Sequence, residues 1–117
     1  MDLTAQVNAE ASACDYVGGV GGQVDYMRAA SQSERGCAVI ALPSTSRDGK
    51  VSRIVAALSG PVTTARSDVS IVVTEHGVAD LRGKSLAERR KAMIALAAPQ
   101  FREELDRAAR SAGMTAR

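Results

Sequence analysis

Aromatic side chains are almost missing: the 117 residues hold two Tyr, one Phe and no Trp. A core must therefore come from Ala, Val, Leu and Ile, and Ala-rich helices over Val/Ile-rich strands fit an α/β layer structure better than an aromatic-filled sandwich. Cysteine and histidine are equally sparse. Cys14 and Cys37 lie far apart and His76 is the single histidine, so no metal site is expected and the thiols read as buried or inert. Neither sign of charge dominates: 15 basic and 13 acidic residues leave a net charge of +2, and their mixing gives nucleic-acid binding no support. No apolar run reaches membrane-spanning length, and Met-Asp-Leu-Thr-Ala-Gln-Val-Asn carries neither a basic n-region nor an apolar h-region. A cytoplasmic protein without membrane contact is expected. The length suits one small domain and not two, so residues 1–117 read as a single unit. No internal repeat or low-complexity segment is visible.

What is present is glycine in one place. Gly18-Gly19-Val20-Gly21-Gly22 has four side-chain-free residues in five, and Gln23-Val24-Asp25-Tyr26 follows with helix-compatible spacing. Glycine admits φ > 0 and lets a ligand approach bare N–H groups. If Gln23 to Ala30 is a helix, its dipole and unpaired first-turn amides converge with the loop amides into a seat for negative charge, a phosphate or a developing oxyanion. A tight strand-to-helix turn without ligand accounts for the same residues. The spacing matches neither G-x-G-x-x-G nor G-x-x-x-x-G-K-[ST], which disfavours an unrelated nucleotide-binding domain.

Residues 2–10 read as a strand end and loop, and the chain opens on Leu3 without turn or cap chemistry, as a domain lacking its earlier strands would. Ser31 to Gly36 is polar loop. Cys37 to Leu42 is a continuous apolar run between Gly36 and Pro43, the pattern of a strand covered on both faces. Pro43 to Lys50 is rich in turn formers; it can aim Ser44, Thr45 and Arg47 at one point, or be a solvated loop. Val51 to Leu58 predicts a second strand, Val62-Thr63-Thr64 a short one, and the β-branched run Val69 to Thr74 the strongest. That run leads into Glu75-His76-Gly77, placing a carboxylate where open α/β sheets hold ligand-contacting groups, although a surface or salt-bridged Glu fits too. His76 reads as a packing or surface residue. Ser85-Leu86-Ala87-Glu88 has the form of a capping box. It opens a helix with Leu86, Met93, Ile94 and Ala97 inward, opposite Arg89, Arg90 and Lys91. Pro99 closes this helix or starts the next, in which Phe101, Leu105, Ala108 and Ala109 face inward and Arg102, Glu103, Asp106 and Arg107 outward. Ser111 to Arg117 is expected to fray.

Three stretches taken in order carry a resemblance: Gly18 to Tyr26; Ala41-Leu42-Pro43-Ser44-Thr45 with Val51-Ser52-Arg53-Ile54-Val55; and Val72-Val73-Thr74-Glu75-His76-Gly77-Val78-Ala79-Asp80-Leu81-Arg82-Gly83, continued by Pro99-Gln100-Phe101-Arg102. Together they resemble the carboxyl-terminal domain of the acetyl-CoA hydrolase/CoA-transferase family, over nearly the whole chain. The resemblance implies an α/β layered sheet with flanking helices, here lacking its amino-terminal part. It also implies an enzyme that moves CoA between carboxylic acids, or hydrolyses acyl-CoA, through a glutamate nucleophile that lies upstream of the matched stretch. CoA is then a substrate and no bound cofactor is implied. The partners implied are an acyl-CoA, a small carboxylic acid and the missing amino-terminal domain or subunit; a homo-oligomer is also open.

Carried onto this chain, Gly22 matches the glycine whose amide helps form the oxyanion hole, with Gly19 and Gly21 beside it at the acyl-CoA site. Arg47 is similar in place to a CoA-contacting lysine, and Glu75 matches an active-site carboxylate that orients or hydrogen-bonds. The chain departs from the family at Ala11-Ser12-Ala13-Cys14, His76 and Ala98. The expectation is a chain with little or no activity alone; the alternative is a non-catalytic remnant or interaction module that keeps the fold.

Overall fold

A computed structural model describes residues 1–12 and 15–111. Ala11–Ser12 (β1) pairs antiparallel with Asp15–Tyr16 (β2), and Gln23–Gln32 forms helix α1. Val39–Ala41 (β3), Ile71–Thr74 (β4) and Gly77–Asp80 (β5) make a three-stranded sheet, followed by helices Leu86–Leu96 (α2) and Pro99–Ser111 (α3). The architecture is the expected α/β one: β4 is central, parallel to β3 and antiparallel to β5. Val72 and Thr74 of β4 and Ala79 of β5 are buried, and α2 packs on β5. The core joins these to Met93, Leu96, Leu105 and Ala109 of the helices and to Leu3, Ala5 and Val7 of the opening segment.

Local chemistry sets the helix boundaries. The Ser85 hydroxyl accepts from the Glu88 amide while the Glu88 carboxylate accepts from the Ser85 amide, a complete capping box, and this satisfies two donors that a helix start leaves orphaned. Pro99 opens α3, where its missing N–H is not needed and its fixed φ suits the first turn. Helix α1 runs two residues beyond Ala30 into the stretch read as loop.

Several expectations are corrected. The 37–42 run is not covered on both faces: β3 lies at the sheet edge, its Val39 is 46% exposed, and Cys37 is exposed. Cys14 lies outside the described residues, as does 112–117, while Ser111 is still helical. Residues 51–58 form no strand. Ser52 turns its hydroxyl onto the Ile54 carbonyl at 2.7 Å, and the Arg53 and Val55 amides bond to Ser44 and Met1 carbonyls; the backbone is used up by three different partners, and Ile54 is driven into the core. Thr64 makes only an isolated bridge with Val7. Leu86 is 43% exposed, not inward.

The arginines read as solvated have structural work. Arg89 donates to the carbonyls of Thr4 and Arg66, Arg90 is half-buried, and Arg102 bonds the Ala97 and Ala95 carbonyls at 2.8 and 2.9 Å. That last pair caps the carboxyl end of α2, where helix carbonyls lack partners. At the other end of the molecule, the buried Asp2 carboxylate accepts from the amides of Thr4 and Gln6, the Thr4 hydroxyl and the Gln6 side chain. This folds residues 2–6 into a tight turn with Ala5 at φ 74, and Arg66 bonds Gln6 from outside it.

Candidate functional site

The glycine loop leaves β2 and enters α1. Its start is tied down, because the Val17 and Gly18 amides both donate to the Glu10 carbonyl, at 2.8 and 3.3 Å. Beyond Gly18 the loop is open. Among the described residues no hydrogen bond engages the amides of Gly19, Gly21 or Gly22, and added Cβ atoms at Gly19 and Gly21 would meet nothing within 4 Å. Gly21, at φ 63, needs glycine for its backbone conformation. Gly22 is the N-cap of α1 at φ −97, with no side-chain cap over the first-turn amides. The helix is anchored by a Thr64 hydroxyl bond to the Gln23 side chain and by the Arg28–Asp68 ion pair. Around the loop, Tyr16, Val17, Val20 and Tyr26 are each more than half exposed.

Glu75 sits at the tip of the two-residue connection between β4 and β5, since Thr74 pairs with Gly77. Neither Glu75 nor His76 takes a positive φ; Gly77, at φ 140, absorbs the conformation. Thr74 fixes the tip from below: its hydroxyl donates to the Leu96 carbonyl at 2.8 Å and accepts from the His76 amide at 3.1 Å. The Glu75 carboxylate is half-exposed, yet held. The Ser44 hydroxyl donates to Oε1 at 2.5 Å, and the Ser44 amide donates to Oε2 at 2.9 Å and to Oε1 at 3.2 Å. The Ser44 hydroxyl, followed by the Glu75 and Ser44 backbone amides, lowers the Glu75 pKa from 4.5 to about 2, because each bond favours the charged form. Glu75 is thus an ionised acceptor at neutral pH and not a proton donor. His76 Nε2 lies 3.7 Å from Oε1, beyond hydrogen-bond range.

Arg47 projects from the loop that leaves Ser44. Ser46 and Asp48 shape that loop: the Ser46 hydroxyl donates to the Asp48 carboxylate at 2.6 Å and accepts from the Val51 amide, the Lys50 amide also bonds Asp48, and Gly49 takes φ 72. The Arg47 guanidinium is exposed and makes no hydrogen bond or ion pair among the described residues.

The fold joins some of the sequence-derived candidates and leaves others apart. Ser44 unites Glu75 with the Arg47 loop, whereas no hydrogen bond among the described residues links the glycine loop to either. A cleft of about 660 Å³ is lined by Asn8, Ser12, Gln23, Leu42, Ser52 and Arg53. Gln23 follows Gly22 and Leu42 precedes Pro43-Ser44, so the cleft wall adjoins both segments in sequence, while the loop glycines, Ser44, Arg47 and Glu75 are not part of its lining. The Ser44–Glu75 contact and the Thr74 anchor were not legible in the motifs. The signal for the first is the parallel register of β3 and β4, which sets Ala41 beside Val73 and so carries Ser44 to the end of the strand that delivers Glu75.

Residues 1–109 match the family described as the acetyl-CoA hydrolase/transferase C-terminal domain. The chain is 50% identical over 107 residues to a 4-hydroxybutyrate coenzyme A transferase of Clostridium kluyveri, covering 90% of this chain and 25% of that protein. It is 42% identical over 112 residues to a succinyl-CoA:cyclohexane-1-carboxylate CoA transferase of Geobacter metallireducens, covering 94% and 26%. Among solved structures, RipA from Yersinia pestis superposes with a TM-score of 0.91 at 43% identity, over 98% of this chain and 26% of that one. A 4-hydroxybutyrate CoA-transferase from Porphyromonas gingivalis gives a TM-score of 0.75 at 40% identity, over 96% and 24%. The chain therefore spans about a quarter of the length of the relatives it matches. No helix among the described residues is long and apolar enough to cross a membrane. By sequence, by fold and by the order of its motifs, this chain belongs to the acetyl-CoA hydrolase/transferase family, as its C-terminal domain.

Proposed function

We propose that this chain forms the oxyanion and CoA-binding side of a CoA-transferase active site, and that the glutamate nucleophile comes from the part of the enzyme outside it. The observation that carries this reading is the row of unengaged amides from Gly19 to Gly22 at the start of α1, next to Gln23, which lines a cleft of about 660 Å³. Preorganised amides stabilise charge that develops on a thioester carbonyl oxygen, and they do so without reorganising during the reaction. In this scheme the glutamate carboxylate attacks the acyl-CoA carbonyl; the C–S bond breaks and CoA leaves as a thiolate, giving an acyl-glutamyl anhydride. The thiolate then attacks the glutamyl carbonyl and expels the first acid as its carboxylate. The second carboxylate opens the resulting glutamyl-CoA thioester to a new anhydride and releases the CoA thiolate, which attacks the new acyl carbonyl to form the product acyl-CoA and free the glutamate. Each stage passes through an oxyanion, and Gly22 is assigned to it.

Gly19 and Gly21 keep the approach to the amides clear. Arg47 supplies a cation for a CoA phosphate, with Lys50 and Arg53 on the same loop. Glu75, ionised and half-exposed, accepts a hydrogen bond that orients the bound molecule. Exposure of Tyr16, Val17, Val20 and Tyr26 around the loop supports a surface that the remainder of the enzyme covers.

The test is CoA exchange between acetyl-CoA and succinate. The chain alone is expected to give none, and exchange is expected when it is complemented by the remaining part of the transferase. Turnover by the chain alone would overturn the placement of the nucleophile. In the complemented enzyme, Gly22→Ala places a methyl over the amide at a φ that alanine tolerates, 3.4 Å from the Tyr26 ring. It should lower kcat by about 10²; an unchanged kcat would remove Gly22 from the oxyanion role.

A further inference from the structure

We infer that Ser44 is the positioning residue of this site, fastening the Glu75 carboxylate to the loop that carries Arg47 so that acceptor and cation are held as one unit. The inference rests on the role proposed for Glu75. Ser44 is fully buried, and each of its polar groups is committed. Its hydroxyl and amide hold both Glu75 oxygens, and its carbonyl accepts from the Arg53 amide at 2.8 Å. The next residue, Thr45, bridges to Ser52, so the base of the Arg47 loop is closed one residue from the Ser44 that holds the carboxylate.

Without this clamp Glu75 would be a long side chain on an exposed two-residue tip, free among its rotamers. No other side-chain donor among the described residues bonds it, and His76, at 3.7 Å, is its titratable neighbour. The clamp is also asymmetric. Oε1 receives the hydroxyl and a share of the amide, whereas Oε2 receives the amide alone. Oε2 therefore keeps acceptor capacity for a donor on the bound molecule, and Ser44 decides which oxygen is presented.

Two measurements test this. In the chain itself, the Glu75 carboxyl is followed by ¹³C NMR against pH; Ser44→Ala should raise its titration midpoint by about one pH unit, since hydrogen bonds to a charged acceptor are the strong kind. Ser44→Cys, close in size and a weak donor, should move it the same way, and serves if the alanine variant does not fold. In the complemented enzyme, Ser44→Ala and Glu75→Gln should each lower kcat about tenfold or more, and the double variant should fall no further than Glu75→Gln alone. An unmoved Glu75 titration, or kcat losses that multiply, would overturn the inference. A wild-type kcat in Glu75→Gln would instead remove the role proposed for Glu75, while the NMR titration would still decide whether Ser44 fastens it.

Discussion

Thr74→Val is the most informative single perturbation, because Thr74 links the sheet, the end of α2 and the tip that carries Glu75. Leu96 is the last residue of α2, so its carbonyl has no partner within the helix; the Thr74 hydroxyl provides one at 2.8 Å in a buried setting. Valine keeps the β-branched shape and strand preference but leaves that carbonyl, and the His76 amide above it, without this partner. An unsatisfied buried acceptor costs about 1–3 kcal/mol, offset by roughly 0.8 kcal/mol for the added methyl, for a net loss of about 0.2–2.2 kcal/mol, centred on about 1.2 kcal/mol. With a urea m-value of about 1–1.5 kcal/mol/M, the midpoint should fall by about 1 M at unchanged m. Thr74→Ser keeps the hydroxyl and loses only a methyl, so its loss should be the smaller, near 1 kcal/mol. Wild-type stability in Thr74→Val, or a larger loss in Thr74→Ser, would show that methyl packing and not the hydrogen bond holds this junction.

Gly21 and Gly19 should behave differently. Gly21→Ala forces a side chain to φ 63 and should cost about 1–2 kcal/mol of stability, whereas Gly19→Ala, in open space without positive φ, should stay within about 0.5 kcal/mol while lowering turnover of the complemented enzyme. Equal stability losses, read by urea titration, would refute this division. Acid should destabilise the chain in a defined window. The Glu75 and Asp80 carboxyls are each lowered to about 2, Glu75 chiefly by the Ser44 hydroxyl and Asp80 chiefly by the Arg82 side chain. A carboxyl with a depressed folded pKa contributes stability that is complete above its unfolded value and lost as pH falls toward the folded one. Stability should therefore be level above about pH 5 and fall from about pH 4.5 to 2. The fall should be shallower in Glu75→Gln; an identical slope would exclude Glu75 from it.

Much was legible where a feature closes within a few residues. The Ser85–Glu88 capping box, Pro99 at a helix start, the β-branched run into β4 and the helix after the glycines are each settled by neighbours three or four positions away, so the sequence alone determined them. The ordered motifs determined the family as well. What tertiary structure alone decided is long-range. Val51–Leu58 has strand composition, but its backbone is claimed by Met1, Ser44 and its own Ser52, and periodicity does not encode such competition. Arg89 and Arg102 look solvated on a helical wheel; carbonyls of Thr4, Arg66, Ala95 and Ala97 give them backbone partners. Ser44 and Glu75 are 31 positions apart, and only the parallel pairing of β3 with β4 brings them together. Hydrogen bonds local in sequence form wherever the residues permit, whereas those between distant segments exist only after strand order has been chosen, and that choice is made by the packed core as a whole.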